Sequence, residues 1–167
     1  MTEIHPRLFV GSRWDYEAQV AFEEGWYVVH AAKEPYHRQA VGYDGPEPPP
    51  DHPEHLVARR GARLMLNLRD HVLPVQLPTE LFDAAVDFIH EGLSSGHRVL
   101  VHCEVGVSRS PTVGLLYLTA FTDVLDAGSL DEAMDRYLAL YPDFSPGPAL
   151  RRFLRDHWRA YAARRGS

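Results

Sequence analysis

Along this chain the spacing of apolar residues switches between a period of two and a period of three to four, and the switches mark its elements. Ile4-His5-Pro6-Arg7-Leu8-Phe9-Val10-Gly11 reads as a short edge strand, with Pro6 near its start and Gly11 ending it. Trp26–Ala32 is rich in aromatic and β-branched residues and reads as a second strand. Between the two, Trp14–Glu24 reads as a short helix stopped by Gly25. Arg63–Leu68 predicts a buried strand. From about Thr79, Leu81, Phe82, Ala85, Val86, Phe88, Ile89 and Leu93 give a helix one buried face, closed by Ser94-Ser95-Gly96. Arg98–His102 is too short for a helix and reads as a central buried strand. Pro111 suits the first turn of a helix that runs through Phe121 and is apolar on nearly every side, which places it mid-core. Ser129 and Glu132 form a capping box before a helix over 133–140. A last helix, Ala149–Ala163, puts Leu150, Phe153, Leu154, Trp158 and Tyr161 on one face. Trp14, Trp26 and Trp158 read as core or core-edge aromatics.

Strands alternating with helices predict an α/β fold. The expected form is a single compact domain over residues 1–167, with a central, mostly parallel sheet flanked by helices. The stretch from Lys33 to Gly61 stands apart. Pro35, Pro46, Pro48, Pro49, Pro50 and Pro53 with Gly42 and Gly45 predict an irregular, proline-rich excursion, either a functional loop or a mobile one.

Composition narrows the class. With 45% hydrophobic and 24% charged residues in 167, the chain is a core former, which excludes disorder and fibrous architecture. A net charge of −6 argues against a broad nucleic-acid-binding face but allows a local cationic pocket. The one cysteine, Cys103, excludes an internal disulfide and a multi-cysteine zinc site. No apolar run approaches the ~20 residues that span a bilayer, so the expectation is a soluble cytoplasmic protein with no membrane partner. Asp51-His52-Pro53-Glu54-His55 holds metal-binding residue types. Pro53 blocks the helical geometry that would converge them, and the segment reads as a solvated polar loop. Arg151, Arg155 and Arg159, interleaved with Asp156, read as a solvated helix face.

The chemistry concentrates in His102-Cys103-Glu104-Val105-Gly106-Val107-Ser108-Arg109-Ser110-Pro111, between a buried strand and a buried helix. A strand-to-helix loop gathers backbone N–H groups into one concavity, and the helix N-terminus adds positive potential. The amides of Glu104, Val105, Gly106, Val107 and Ser108 with the guanidinium of Arg109 would cradle a tetrahedral dianion. The same field favours a thiolate at Cys103, placed for in-line attack on a bound phosphoryl group. Ser110 would donate a hydrogen bond to the departing sulfur, and His102 would orient the loop. A carboxyl group must protonate the leaving oxygen and later activate water. Asp70 is the candidate if strands 63–68 and 98–102 are parallel neighbours, with His71 its nearest competitor. Lys33, His37 and Arg38, just past a strand on the same edge, form either a substrate-recognition loop or an ordinary surface loop.

These residues resemble the cysteine-dependent protein tyrosine phosphatase superfamily, and within it the dual-specificity phosphatases. The family pattern His-Cys-x5-Arg-Ser/Thr is met by His102, Cys103, Arg109 and Ser110. Ile4–Ser12, Trp26–Ala32, Phe82–Leu93 and Ser108–Phe121 look like family elements, and Asp70 falls where the family carries its general acid. The resemblance implies a metal- and cofactor-independent phosphatase acting on a phosphorylated protein or a small phosphomonoester. The excursion at 33–61 and the loop after Asp70 are longer than in compact members. The phosphate loop lacks lysine and carries Glu104, which disfavours a phosphoinositide, and Ser108 stands where RNA-triphosphatase relatives usually have asparagine. A non-protein phosphomonoester, or a phosphate-binding module with little turnover, are the alternatives.

Overall fold

The computed structural model describes residues 1–165. Its elements are β1 (Thr2–His5), β2 (Leu8–Ser12), α1 (Arg13–Gln19), β3 (Trp26–His30), a π-helical turn (Lys33–His37), α2 (Arg38–Val41), β4 (Val57–Arg60), β5 (Arg63–Leu66), α3 (Thr79–Ser94), β6 (Arg98–Cys103), α4 (Arg109–Phe121), α5 (Leu130–Leu140) and α6 (Pro148–Ala162). The strands form one six-stranded sheet in the order β1-β2-β6-β3-β5-β4. The inner strands β2, β6, β3 and β5 run parallel, and β1 and β4 are antiparallel at the two edges.

Side chains of β6 alternate between two cores, as a pleated strand requires. Val99, Val101 and Cys103 join the large core that also holds the buried faces of α3, α4, α5 and α6. Leu100 points the other way, into a small core with Val20, Trp26 and Val28, against which Tyr16 of α1 packs. α4 is buried along almost its whole length, so it lies in the middle of the helical layer. The register pairs Ser12 with Cys103 and His30 with His102, which brings the C-terminal ends of β2, β6 and β3 to one edge of the sheet. Open parallel sheets place their ligands at that edge.

Several expectations are corrected. The opening segment is a hairpin of two strands, because Pro6 lacks a ladder N–H and Arg7 takes a left-handed φ of 67°. α1 stops at Gln19, since Val20 turns into the small core while Phe22 is left 95% exposed. Trp14 is 76% exposed, whereas Trp26 and Trp158 are buried. The excursion carries regular structure: α2, and β4 paired with β5 across a turn at Gly61. The prolines of 46–53 precede β4 and leave its ladder intact. The strand at 63–66 does not neighbour β6, because β3 lies between them; all three are parallel, so their ends still open on the same edge.

Candidate active site

The loop from Cys103 to Arg109 joins β6 to α4 across the sheet's C-terminal edge. Its carbonyls are tied to the surrounding scaffold. Glu104 O accepts from Arg13 N at 3.1 Å, Val107 O from Ser145 N at 2.9 Å, and Ser108 O from Thr112 N at 3.1 Å. Gly106 O accepts from the Tyr141 hydroxyl at 2.6 Å, a phenol whose pKa is pushed up to about 12 by burial and by the nearby sulfur, so it stays a donor. A trans peptide points its N–H opposite its C=O. The N–H groups of Val105, Val107 and Ser108 therefore face away from these partners, into the concavity of the loop. Gly106 closes the turn at φ 82° and donates its own N–H to Cys103 Sγ at 3.3 Å.

Cys103 is 2% exposed. Its sulfur also lies 3.2 Å from Ser110 Oγ, which is 2.9 Å from the Gly11 carbonyl oxygen and donates to it. The Ser110 hydroxyl can thus shift its proton from a carbonyl to a negatively charged sulfur without moving. Arg109 is 9% exposed and donates from one terminal nitrogen to Leu68 O at 3.0 Å, which holds the guanidinium against the end of the segment leading to Asp70. Its Nε is buried with no hydrogen-bond partner among the described residues. A buried guanidinium N–H left unpaired is costly unless a ligand completes it.

Above the loop lies a cleft of about 460 Å³ walled by Arg13, Lys33, Glu34, Pro35, Leu68, Arg69, Asp70, Glu104 and Arg109. Glu104 and Arg109 line it from the loop that follows Cys103. Asp70 is exposed there and lines the cleft together with Arg109. A methyl group added at Gly147 would come within 3.3 Å of its Oδ1 and 3.5 Å of Ser108 Oγ, so Asp70 and the loop meet at Gly147. His71 does not line the cleft, and partial burial together with Arg69 holds its imidazole below the ordinary value, which weakens it as a proton donor near neutrality. A larger groove of about 740 Å³, between Val41 and His55, contains none of the expected site residues.

The residues proposed from sequence for substrate recognition are spent elsewhere. His37 is fully buried, 3.1 Å from the Tyr43 hydroxyl and 2.8 Å from Glu54 O, and does not reach the cleft. Arg38 pairs with Glu34 at 2.7 Å and donates to the carbonyls of Tyr43 and Gly45. Lys33 lines the cleft, but its ammonium is 3% exposed and bonds to Glu47 at 2.8 Å and to Pro46 O. Arg69 also pairs with Glu47. The side chains of Lys33, His37 and Arg38 are all bonded into the segment 43–54, and of the three only Lys33 lines the cleft. In the neighbouring segment, His52 accepts from Glu54 N and His55 lies against Pro49 O, so these imidazoles do not converge.

His102 is fully buried, with Nδ1 3.2 Å from the Cys103 carbonyl oxygen and Nε2 2.6 Å from Nδ1 of His30. His30, Tyr16, Tyr36 and Tyr141 were not singled out by sequence. The available signal was the strand period, which sets His30 and His102 on the same face of adjacent strands.

Comparison with known proteins places these features in context. The family model described as "Dual specificity phosphatase, catalytic domain" matches residues 54–159, more than half of the chain. Among curated proteins, 41 residues are 61% identical to dual specificity protein phosphatase 26 of Bos taurus, covering 24% of this chain and 19% of that protein. A stretch of 68 residues is 43% identical to dual specificity protein phosphatase 1-A of Xenopus laevis, covering 38% of this chain and 17% of that one. The matched stretches span about a fifth of those relatives' lengths. Among solved structures, human DUSP28 superposes with a TM-score of 0.66 over 98% of this chain and 99% of its own, at 22% identity. The human tyrosine phosphatase-like serine/threonine/tyrosine-interacting protein superposes at 0.67 over 96% and 97%, at 19% identity. At such identities the structural likeness is one of fold.

Proposed function

This chain belongs to the dual specificity phosphatase family, and we propose that it hydrolyses phosphomonoesters, phosphotyrosine and phosphoserine/threonine of proteins foremost, through a phosphocysteine at Cys103. The observation that carries this reading is the buried sulfur held by the Gly106 N–H and Ser110 Oγ in the same loop as Arg109, whose Nε has no partner among the described residues. A binding module has no use for the nucleophile.

In the first step the phosphoryl group sits on the loop amides and Arg109, which stabilise charge on the equatorial oxygens. Cys103 Sγ attacks phosphorus in line. The S–P bond forms as the P–O ester bond breaks, and Asp70 gives its proton to the leaving oxygen. In the second step water attacks the phosphocysteine. Asp70 takes the water's proton, inorganic phosphate forms, and the electron pair returns to sulfur, which the Ser110 hydroxyl stabilises. Replacing Cys103 with serine tests the reading: turnover of a chromogenic aryl phosphate disappears while the far-UV spectrum is retained. Undiminished turnover removes it.

A further inference from the structure

We propose that His30 is a positioning residue for this reaction, holding His102 in the one tautomer that tethers the Cys103 carbonyl and, through it, the sulfur. The inference rests on Cys103 as nucleophile and extends the site beyond the phosphate loop.

The argument starts from an atom with no choice. The Cys103 carbonyl oxygen can only accept, so the His102 Nδ1 at 3.2 Å must carry the hydrogen. In a neutral ring Nε2 is then the acceptor, and the group 2.6 Å away, Nδ1 of His30, must donate. The reverse arrangement, with Nε2 of His102 protonated, would set a lone pair of Nδ1 against the carbonyl oxygen. The carbonyl thus sets the tautomer of His102, and His30 is the partner that holds it there. Desolvation keeps both rings neutral: burial lowers His102 to about 4 and His30 to about 2, with further contributions from the charged groups that face them. Those groups are Arg13 and Glu17 from α1, Arg63 from β5 and Arg109 from α4.

Stacking opposes a turn of either ring that would exchange its nitrogens. Tyr16 stacks on His102 at 4.8 Å and 3°, and Tyr36 stacks on His30 at 4.3 Å and 19°. Tyr16 is itself held by Arg63, which donates to its hydroxyl at 2.7 Å. The strand register sets the histidines opposite each other at the ends of β3 and β6. A chain of fixed groups therefore runs from β3 to the main chain of Cys103, on which the contacts of Sγ with Gly106 N and Ser110 Oγ depend.

Substitution at position 30 separates this role from packing, because Nδ2 of asparagine occupies the place of the histidine Nδ1 while leucine puts a methyl group there. At pH 7, ¹⁵N NMR of histidine-labelled protein should show His102 protonated at Nδ1 and bare at Nε2. Alkylation of Cys103, the only thiol, by iodoacetamide at pH 6 should slow about tenfold in His30→Leu, with kcat falling by a similar factor. In His30→Asn both should stay within about threefold of the unmodified chain. His102 protonated at Nε2 instead overturns the proposal. So does a leucine variant that alkylates at the original rate, or equal losses in both variants. Should His30→Leu fail to fold, the tautomer and the asparagine variant still decide. Neither NMR nor alkylation requires turnover, so failure of the phosphatase reading in the Cys103→Ser test would leave these results standing by themselves.

Discussion

Gly106 is the position at which fold and chemistry are bound most tightly, and Gly106→Ala measures how tightly. Its φ of 82° lies in the left-handed region, where an alanine costs about 1–2 kcal/mol. The added Cβ would also sit 2.9 Å from Gly11 C, 3.0 Å from Gly11 O and 3.1 Å from Ser12 N. These are main-chain atoms of β2, locked in register with β6, so the phosphate loop and not the strand must give way. Overpacking of this kind adds about 1–3 kcal/mol. The shift carries with it the N–H that contacts Cys103 Sγ at 3.3 Å, and displacing a reacting group by about 1 Å costs about 10²-fold in rate. Gly96 supplies the control: its φ is 84°, but nothing lies within 4 Å of a Cβ there. Urea unfolding should show Gly106→Ala losing clearly more stability than Gly96→Ala, which pays only the conformational cost of about 1–2 kcal/mol. On an aryl phosphate, kcat/KM should fall about 10²-fold in the first variant and hold in the second. Equal stability losses, or a Gly106→Ala enzyme within about threefold of full activity, would refute the close approach of the loop to β2.

Other consequences are as direct. Asp70→Asn should lower kcat on an alkyl phosphate by about 10²–10⁴-fold and much less on an aryl ester with a good leaving group; an unchanged alkyl rate would move the acid role to another residue. His30 and His102 bind their protons less readily folded than unfolded, so the unfolded chain takes up protons first as pH falls below about 6.5. Between pH 6.5 and 5 each should remove roughly 2 kcal/mol of stability, before the salt-bridged carboxylates begin to titrate; a flat or rising profile in this window would contradict their neutral burial. Tyr141→Phe removes the hydroxyl on Gly106 O and should cost about 1 kcal/mol together with a measurable drop in kcat, and no change in either would separate that hydrogen bond from the loop's shape.

The strength of each sequence signal explains what was legible. α3 and α4 declared themselves because their apolar residues are dense enough to define a face or fill one all round. The grouping of Cys103, Arg109 and Ser110 was readable because the three lie within one strand-turn-helix unit. Asp70 was reachable only through the expected parallel sheet, and the assumed adjacency of its strand to β6 was wrong even though the shared edge was right. β4 was hidden by the prolines before it, since composition over a long window hides a strand of four residues. Lys33, His37 and Arg38 were placed on the correct edge, but their residue types did not tell that Glu47, Tyr43 and Glu54 would claim them from within the same excursion. The His30–His102 and Tyr141–Gly106 contacts span 72 and 35 residues of chain; the strand period bears on the first only once the strand order is known, and no local pattern encodes the second.

The sulfur itself can be interrogated during turnover. Rapid quenching of the enzyme with an aryl phosphate, followed by peptide mass spectrometry, should find a transient phosphoryl adduct on the peptide containing Cys103, decaying as inorganic phosphate appears and absent from Cys103→Ser. Steady phosphate release with no adduct at Cys103, or with the phosphoryl group on another side chain, would contradict the account.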